Sequence, residues 1–207
     1  MTVAATTELE AINVMLSAVG EAPINSLTGT LPVDARQAQS FLNEVSKGIQ
    51  SEGWSFNYEY DVVLTRDAGN SVALPTNVLR VDVSVANHPD IDPVQRGLKL
   101  YDRKNHTFSF TEDLKAEIVY FLAFDELPEP ARRYINLKAA RVFIDRVLGD
   151  DGLRGYTQQD EVRARAVLLD SDASIADHNV LTGDPAISGR FGTFMPHKAL
   201  ILSLIHI

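Results

Sequence analysis

The fold is decided at Gln50-Ser51-Glu52-Gly53-Trp54-Ser55-Phe56-Asn57, where a helical pattern ends and strand-like alternation begins. Gly53 suits the left-handed conformation that closes a helix. Trp54, the only tryptophan, and Phe56 have the period-2 spacing that places both rings on one face of a strand. We therefore predict that Gly53, Trp54, Phe56 and Asn57 form a structural hinge between helices and a sheet.

A second hinge is predicted at Asp125-Glu126-Leu127-Pro128-Glu129-Pro130, where helical periodicity resumes behind prolines suited to a helix start. Asp125, Leu127 and Pro128 are its expected structural residues. Between the hinges, strand-like runs are separated by short turn-rich pieces, which favours antiparallel pairing. The sequence thus predicts an α+β fold: a four-helix platform, an inserted mainly antiparallel β unit between helices 2 and 3, and an extended C-terminal tail.

The first two helices are predicted from their periodicity. The first is expected over about Glu8 to Val19, with Thr7 and Glu10 as its capping box. The second is expected over roughly Val33 to Glu52. Its narrow apolar stripe indicates that one side packs on another helix, so Gln50 is expected to face water or a neighbour.

The last two helices follow the second hinge. The third is expected to begin after Pro130 and to be buried on two sides. The fourth is predicted from after Thr157 to about Ala176. Residues at helical spacing should form its inner face: Val162, Ala166, Leu169, Ala173 and Ala176.

Six strands are expected in the β unit, and one segment is excluded from it. The two prolines of His88-Pro89-Asp90-Ile91-Asp92-Pro93 rule out a central strand, so this segment is predicted to be an exposed loop. The predicted strands are Val62 to Thr65, Ser71 to Leu74, Leu79 to Ala86, Leu98 to Tyr101, Thr107 to Phe110 and Ala116 to Phe124.

These elements predict three parts of the chain. Residues 1–53 and 125–177 form a helical platform, residues 54–124 an inserted β domain, and residues 178–207 an extended tail that needs a partner surface to be ordered. The last six residues, Leu202-Ser203-Leu204-Ile205-His206-Ile207, match the translation of a common sequencing adaptor. We expect an artificial end there, the alternative being a genuine hydrophobic tail.

Composition is typical of a globular protein. The 207 residues are 45% hydrophobic and 23% charged, and they include no cysteine, which excludes disulfides and thiolate metal sites. The start has no secretory signal pattern, and no apolar run approaches the ~20 residues of a membrane-spanning helix, so no membrane insertion is expected. The net charge is −9, and acidic side chains outnumber basic ones in residues 1–53, in residues 54–124 and in residues 125–207. Tight binding of this protein to the phosphates of DNA is therefore disfavoured.

No common catalytic or metal-binding pattern is present, so we predict no catalytic residue, no cofactor and no metal site. The five histidines are scattered without metal-ligand spacing. Asp125, Glu126 and Glu129 form the densest carboxylate cluster apart from Asp150-Asp151, but acidic groups are also favoured at a helix start. Alternating Trp54, Phe56, Tyr58 and Tyr60 could form a sugar or base platform, but core packing is the preferred interpretation.

Six motifs together resemble the tail tubular protein A, or head-to-tail adaptor, family of short-tailed bacteriophages. They follow one another in the family's order over nearly the whole chain, and the match is weakest in the sheet. The motifs are Leu9-Glu10-Ala11-Ile12-Asn13, Val19-Gly20-Glu21-Ala22-Pro23 with Ile24-Asn25-Ser26-Leu27, Ile49 through Asn57, Asp125-Glu126-Leu127-Pro128-Glu129, Ala139-Ala140-Arg141, and Asn179-Val180-Leu181-Thr182-Gly183-Asp184.

The resemblance implies a non-enzymatic virion tail protein, assembled in the host cytoplasm. Such proteins form a dodecameric ring that binds the portal protein, carries the tail nozzle (tail tubular B-like) protein and conducts double-stranded DNA during packaging and ejection. The residues expected to contact the portal are in the tail: Asn179, Val180, Leu181 and Gly183. Two alternatives stay open: a phage glycan hydrolase using Asp125 or Glu129, and a different head-completion connector.

Overall fold

The structure is a computed structural model that describes residues 5–83, 88–148 and 158–175. The described residues up to Asp172 belong to one compact unit. In chain order the elements are α1 (Glu8–Ala18), α2 (Val33–Gln50), β1 (Tyr58–Leu64), β2 (Val78–Val83), β3 (Pro93–Arg96), β4 (Lys99–Asp102), β5 (Leu114–Tyr120), a 3-10 turn (Phe124–Glu126), α3 (Glu129–Leu148) and α4 (Gln158–Ile175).

The predicted α+β class is confirmed, because antiparallel strands lie between α2 and α3 in a chain with four described helices. The capping box of α1 is confirmed as well. The Glu10 backbone N–H donates to Thr7 Oγ1 at 3.2 Å, and the Thr7 N–H donates to Glu10 Oε2 at 2.9 Å. The predicted tail, residues 178–207, lies outside the described residues.

The sheet has the order β1-β5-β2, with both pairings antiparallel, and β3 and β4 form a separate hairpin. Two predicted strands were wrong, since Ser71 to Leu74 and Thr107 to Phe110 make only isolated bridges. The predicted loop at His88 to Pro93 ends in β3, where proline is tolerated as the first residue of a strand. That segment is also less exposed than expected, since His88 is buried.

Two separate hydrophobic clusters stabilise the described chain. The first joins α1, α2, α3 and α4, and it includes Trp54 and Leu127 from the predicted hinges and Phe124 from the 3-10 turn. The second lies among the strands and their connections, with Leu100, Leu114 and Ile118 fully buried. Apolar burial of this kind supplies roughly 25 cal/mol for each Å² removed from water.

The predicted inner face of α4 is wrong for four of its five residues, because Val162, Ala166, Leu169 and Ala173 are exposed, and the fifth, Ala176, lies outside the described residues. The residues of α4 that are buried are Ala164, Leu168 and Asp172, whereas Val162 is 61% exposed and Leu169 is 48% exposed. Ala164 and Leu168 pack into the helical hydrophobic cluster, and polar contacts add to this packing. Arg165 donates to Tyr134 Oη at 3.1 Å and to Glu52 Oε2 at 2.8 Å. The hydrogen bonds to Tyr134 and Glu52 raise the pKa of Arg165 above its usual value.

Candidate functional site: two hinge segments

The first hinge begins at Gly53, three positions after α2 ends at Gln50. Its φ of +76° confirms the left-handed conformation predicted from the sequence. A Cβ at this position would lie 3.1 Å from both Arg80 Nη2 and Val119 Cγ2. Gly53 is therefore required for its backbone angle and also for the close approach of its neighbours on β2 and β5.

Gly53→Ala is expected to lower the free energy of unfolding by about 1–3 kcal/mol, because left-handed backbone costs ~1–2 kcal/mol for a residue with a side chain and the neighbours must also move. Urea unfolding followed by circular dichroism measures this change. Gly48→Ala is the matched control, since a Cβ there meets nothing within 4 Å. In the helix interior that change should stabilise by roughly 0.5–1 kcal/mol. Equal effects of the two substitutions would contradict the assigned role.

Trp54 is buried but does not lie on a strand. Residues 55–57 form a turn and β1 begins at Tyr58, so the predicted strand placement of Trp54 and Phe56 was wrong. The two rings nevertheless stack, with an interplanar angle of 3° and centroids 6.4 Å apart. Trp54 Nε1 donates to the Ile49 carbonyl at 2.8 Å, which fixes the indole against the end of α2. Tyr60 is 66% exposed and shares no platform with them.

Asn57 ties the first hinge to β5. Its Oδ1 accepts the Trp54 backbone N–H at 2.8 Å, and its Nδ2 donates to the carbonyls of Gln50 at 2.9 Å and Tyr120 at 2.7 Å. The Asn57 side chain is almost fully buried. The Asn57 amide thus joins the end of α2, the turn and the end of β5. Separating them would leave buried backbone groups without a hydrogen-bond partner, which lowers the free energy of unfolding.

Gln50 makes a similar connection from the end of α2 to Leu122, after β5, and sequence reasoning missed it. It was expected to face water or a neighbour, but it is completely buried. Its Oε1 accepts the Leu122 N–H at 2.8 Å, and its Nε2 donates to the Leu122 carbonyl at 3.0 Å and to Ser46 Oγ at 2.9 Å. The available signal was the i+4 series Leu42, Ser46 and Gln50, which continues the buried stripe of α2 with polar residues.

The second hinge has a buried residue and an exposed one. Leu127 is buried in the helical cluster together with Trp54, and its carbonyl accepts from Arg132 Nε at 2.6 Å. Asp125 has a side chain that is 61% exposed, and its Oδ1 accepts the Glu8 N–H at 3.2 Å. The structure therefore brings Leu127 to the same core as the first hinge, whereas Asp125 binds the start of α1.

Pro128 sits at the start of α3. Its carbonyl accepts the backbone N–H groups of Ala131 at 2.9 Å and Arg132 at 3.1 Å, the first hydrogen bonds of the helix. Arg132 also donates to the Thr6 carbonyl at 2.9 Å and to the Asp125 carbonyl. The role of Arg132 in joining the second hinge to the segment before α1 had no local signal, because Thr6 is 126 positions away in the sequence.

The candidate carboxylates make hydrogen bonds at the ends of elements. Glu129 Oε2 accepts the Thr6 N–H at 2.8 Å and Oε1 accepts the Thr6 hydroxyl at 2.7 Å. Glu126 accepts the Ala123 N–H at 2.9 Å. Within residues 5–83, 88–148 and 158–175, no group of three or more His, Asp or Glu side chains is placed to hold a metal ion. Asp150-Asp151 lies outside these residues.

A long-range contact joins the first hinge to α4. Asp172 Oδ1 accepts the Ser55 backbone N–H at 2.7 Å and the Ser55 hydroxyl at 2.5 Å. The two residues are 117 positions apart, so the sequence carried no signal for this pair. The predicted portal-contacting residues Asn179, Val180, Leu181 and Gly183 fall outside the described part of the chain. Among the described helices, none is long and apolar enough to cross a membrane.

The comparisons with known proteins agree on one family. A family model described as tail tubular protein matches residues 9–178, a span that includes both hinges and the whole β unit. The chain is also similar to tail tubular protein A of Klebsiella phage KP34. The two are 32% identical over 165 residues, which cover 78% of this chain and 84% of the phage protein.

Proposed function

This chain belongs to the tail tubular protein family and is a structural component of a bacteriophage tail, and from this premise we propose that it forms the adaptor ring between the portal and the tail nozzle. The family match over residues 9–178 carries the proposal, because it includes every element from α1 to α4. The ring is dodecameric, and each subunit contacts the next through two different patches that repeat around the axis.

The charge of the chain supports a ring that conducts DNA without retaining it. The net charge is −9, and each neutralised phosphate would add salt-sensitive affinity. A ring of such acidic subunits lets double-stranded DNA pass during packaging and ejection. The carboxylates considered for catalysis hold backbone and hydroxyl groups at element ends, which supports a structural rather than enzymatic role.

We assign separate roles to the parts of the subunit. The helical platform, residues 1–53 and 125–177, builds the ring, and the inserted β domain, residues 54–124, faces the nozzle or the neighbouring subunit. The two hydrophobic clusters support this division, since the first is built mainly from the helices and the second from the strands and their connections. The two hinges fix the sheet on the platform. The tail residues Asn179, Val180, Leu181 and Gly183 contact the portal.

A capture experiment tests the order of assembly. Portal rings are immobilised, the chain is added or omitted, and the nozzle protein is then applied. The proposal predicts that the nozzle protein is retained only when the chain has been added first, and that free double-stranded DNA at physiological salt is not retained by the chain. Retention of the nozzle protein on portal rings alone would contradict an adaptor role.

A further inference from the structure

A basic stretch lies in the middle of this acidic chain, on and after the β3–β4 hairpin. Residues 93–110 carry four basic side chains and one acidic side chain, whereas the whole chain has a net charge of −9. Arg103 in this stretch pairs with Asp92 at 2.8 Å. Arg96 and Lys99, in contrast, make no hydrogen bond or ion pair with any described residue. The hairpin therefore presents two positive charges that the described fold does not neutralise.

The two charges share one face of the hairpin. Arg96 and Lys99 lie directly opposite each other in the register of β3 and β4, and both are exposed. Like charges in directly opposite positions destabilise a strand pair. The arrangement therefore costs the fold stability, and a bound anion would remove the repulsion. We call Arg96 and Lys99 the hairpin cation pair.

The backbone fixes the position of the hairpin cation pair. Gly97 and Leu98 form the turn between β3 and β4, and Gly97 has a φ of +62°. The Leu98 carbonyl accepts the Leu74 N–H at 2.9 Å, and the Leu100 N–H donates to the Val72 carbonyl at 3.1 Å. Because these hydrogen bonds join the turn and β4 to a neighbouring segment, the two cations are presented from a fixed backbone.

An aromatic side chain orients Arg96. The guanidinium carbon lies 3.6 Å from the centroid of the Tyr101 ring, and Phe108 packs edge-on against Tyr101 with ring centroids 4.8 Å apart. A guanidinium that lies over an aromatic ring keeps its N–H donors available, whereas a carboxylate partner would occupy them. Arg96 is therefore held in place with its donors open to the oxygen atoms of an anion.

We propose that the hairpin cation pair contacts the phosphates of the DNA that passes through the ring. This inference rests on the proposed function, which brings double-stranded DNA past every subunit. Contacts of Arg and Lys with phosphates position a duplex but carry no sequence information. They therefore suit a channel through which DNA of every sequence passes.

Two contacts per subunit are few enough to let the DNA move. Each neutralised phosphate gives a logarithmic salt slope of about −0.9, so two contacts lose roughly tenfold in affinity between about 50 and 200 mM salt. The remainder of the chain is acidic and repels the duplex. The hairpin cation pair therefore guides DNA without retaining it at physiological salt.

An acidic protein surface is the competing partner, because Leu98 and Phe108 are 49% and 43% exposed near the cations. Exposed apolar side chains of this kind are common on protein surfaces. Two directly opposed cations without a counter-ion are instead unfavourable in the fold. The charges, more than the apolar side chains, thus identify the ligand, and the proposed function supplies DNA as the polyanion.

The test uses portal rings that carry the chain, after sedimentation velocity has measured how much chain each ring holds. The variant is Arg96→Gln/Lys99→Gln. The matched control, Arg36→Gln/Arg163→Gln, removes the same charge from two exposed arginines whose side chains make no hydrogen bond or ion pair with a described residue. Fluorescence anisotropy then measures the binding of two labelled duplexes of different sequence, from low to physiological salt, with bare portal rings as the background.

All three rings should assemble fully, because none of the four substituted side chains is hydrogen-bonded or ion-paired to a described residue. Wild-type and control rings should bind both duplexes at low salt with the same salt slope. The Arg96→Gln/Lys99→Gln ring should bind both duplexes more weakly and to the same extent. Its slope should be smaller by about 2 for each subunit in contact with the duplex.

Three results would overturn the DNA contact while leaving the adaptor function intact. The first is an unchanged salt slope in a fully assembled Arg96→Gln/Lys99→Gln ring. The second is unchanged DNA binding with loss of nozzle-protein capture, which would assign the pair to an acidic protein surface. The third is a folded variant that no longer assembles, which would assign it to a subunit contact. A wild-type chain that never assembles on the portal would instead overturn the proposed function, and the inference with it.

Discussion

Replacing Trp54 with alanine is expected to lower the free energy of unfolding by about 3–5 kcal/mol, the usual cost of truncating a buried aromatic side chain. Trp54 is 3% exposed and belongs to the helical hydrophobic cluster. Its ring stacks on Phe56, and its indole N–H donates to the Ile49 carbonyl at the end of α2. The substitution removes apolar contacts from the helical cluster and also leaves that carbonyl without this donor.

Chemical unfolding of the purified variant measures this loss. Tyr60→Ala is the matched control, because Tyr60 is an aromatic residue nearby in the sequence but is 66% exposed. Exposed substitutions usually change stability by about 0.5 kcal/mol or less. A Trp54→Ala protein that unfolds at the same denaturant concentration as the wild type would rule out a structural role for the first hinge.

Asn57→Leu is expected to be the other large perturbation, lowering the free energy of unfolding by about 2–5 kcal/mol. Leucine has the same number and branching of side-chain heavy atoms as asparagine but leaves the Gln50 and Tyr120 carbonyls and the Trp54 N–H without their partner. Each buried polar group left unsatisfied costs roughly 1–3 kcal/mol. Because the amide joins α2 to β5, the loss should loosen the attachment of the sheet as well as the turn.

Hydrogen exchange of the backbone amides locates this effect, with the free energy of unfolding measured in parallel. Faster exchange is expected at the Trp54 N–H and at the Tyr120 N–H, which donates to the Asn57 carbonyl. Asn77→Leu is the control, since Asn77 is exposed and its amide makes only a 3.3 Å hydrogen bond to the Phe121 carbonyl. If the two leucine variants were equally stable, the account of the Asn57 network would be wrong.

The sequence predicted the features that depend on local chemistry. The capping box at Thr7 and Glu10, the left-handed Gly53 and the position of the β unit between α2 and α3 follow from spacing and backbone preference, and the structure confirms them. Trp54 and Phe56 were predicted to share one face of a strand, and this placement was wrong. Their rings meet across a turn instead of along a strand.

Features that depend on distant partners were not predicted. Gln50 is a polar residue whose burial is compensated by Leu122, 72 positions away. The orientation of α4 depends on contacts of Asp172 with Ser55 and of Arg165 with Tyr134 and Glu52. Periodicity alone assigned Val162 and Leu169 to the core because it cannot distinguish a face that packs within the chain from a face available to another molecule.

The most direct test of the adaptor ring is the molar mass of the purified protein, measured by size-exclusion chromatography with light scattering, alone and then with portal rings. The account predicts that the chain alone elutes near its monomer mass of 22.8 kDa. With portal rings, it should add the mass of twelve chains to each ring. A monomer or dimer whose mass and elution are unchanged by the portal would contradict the adaptor ring.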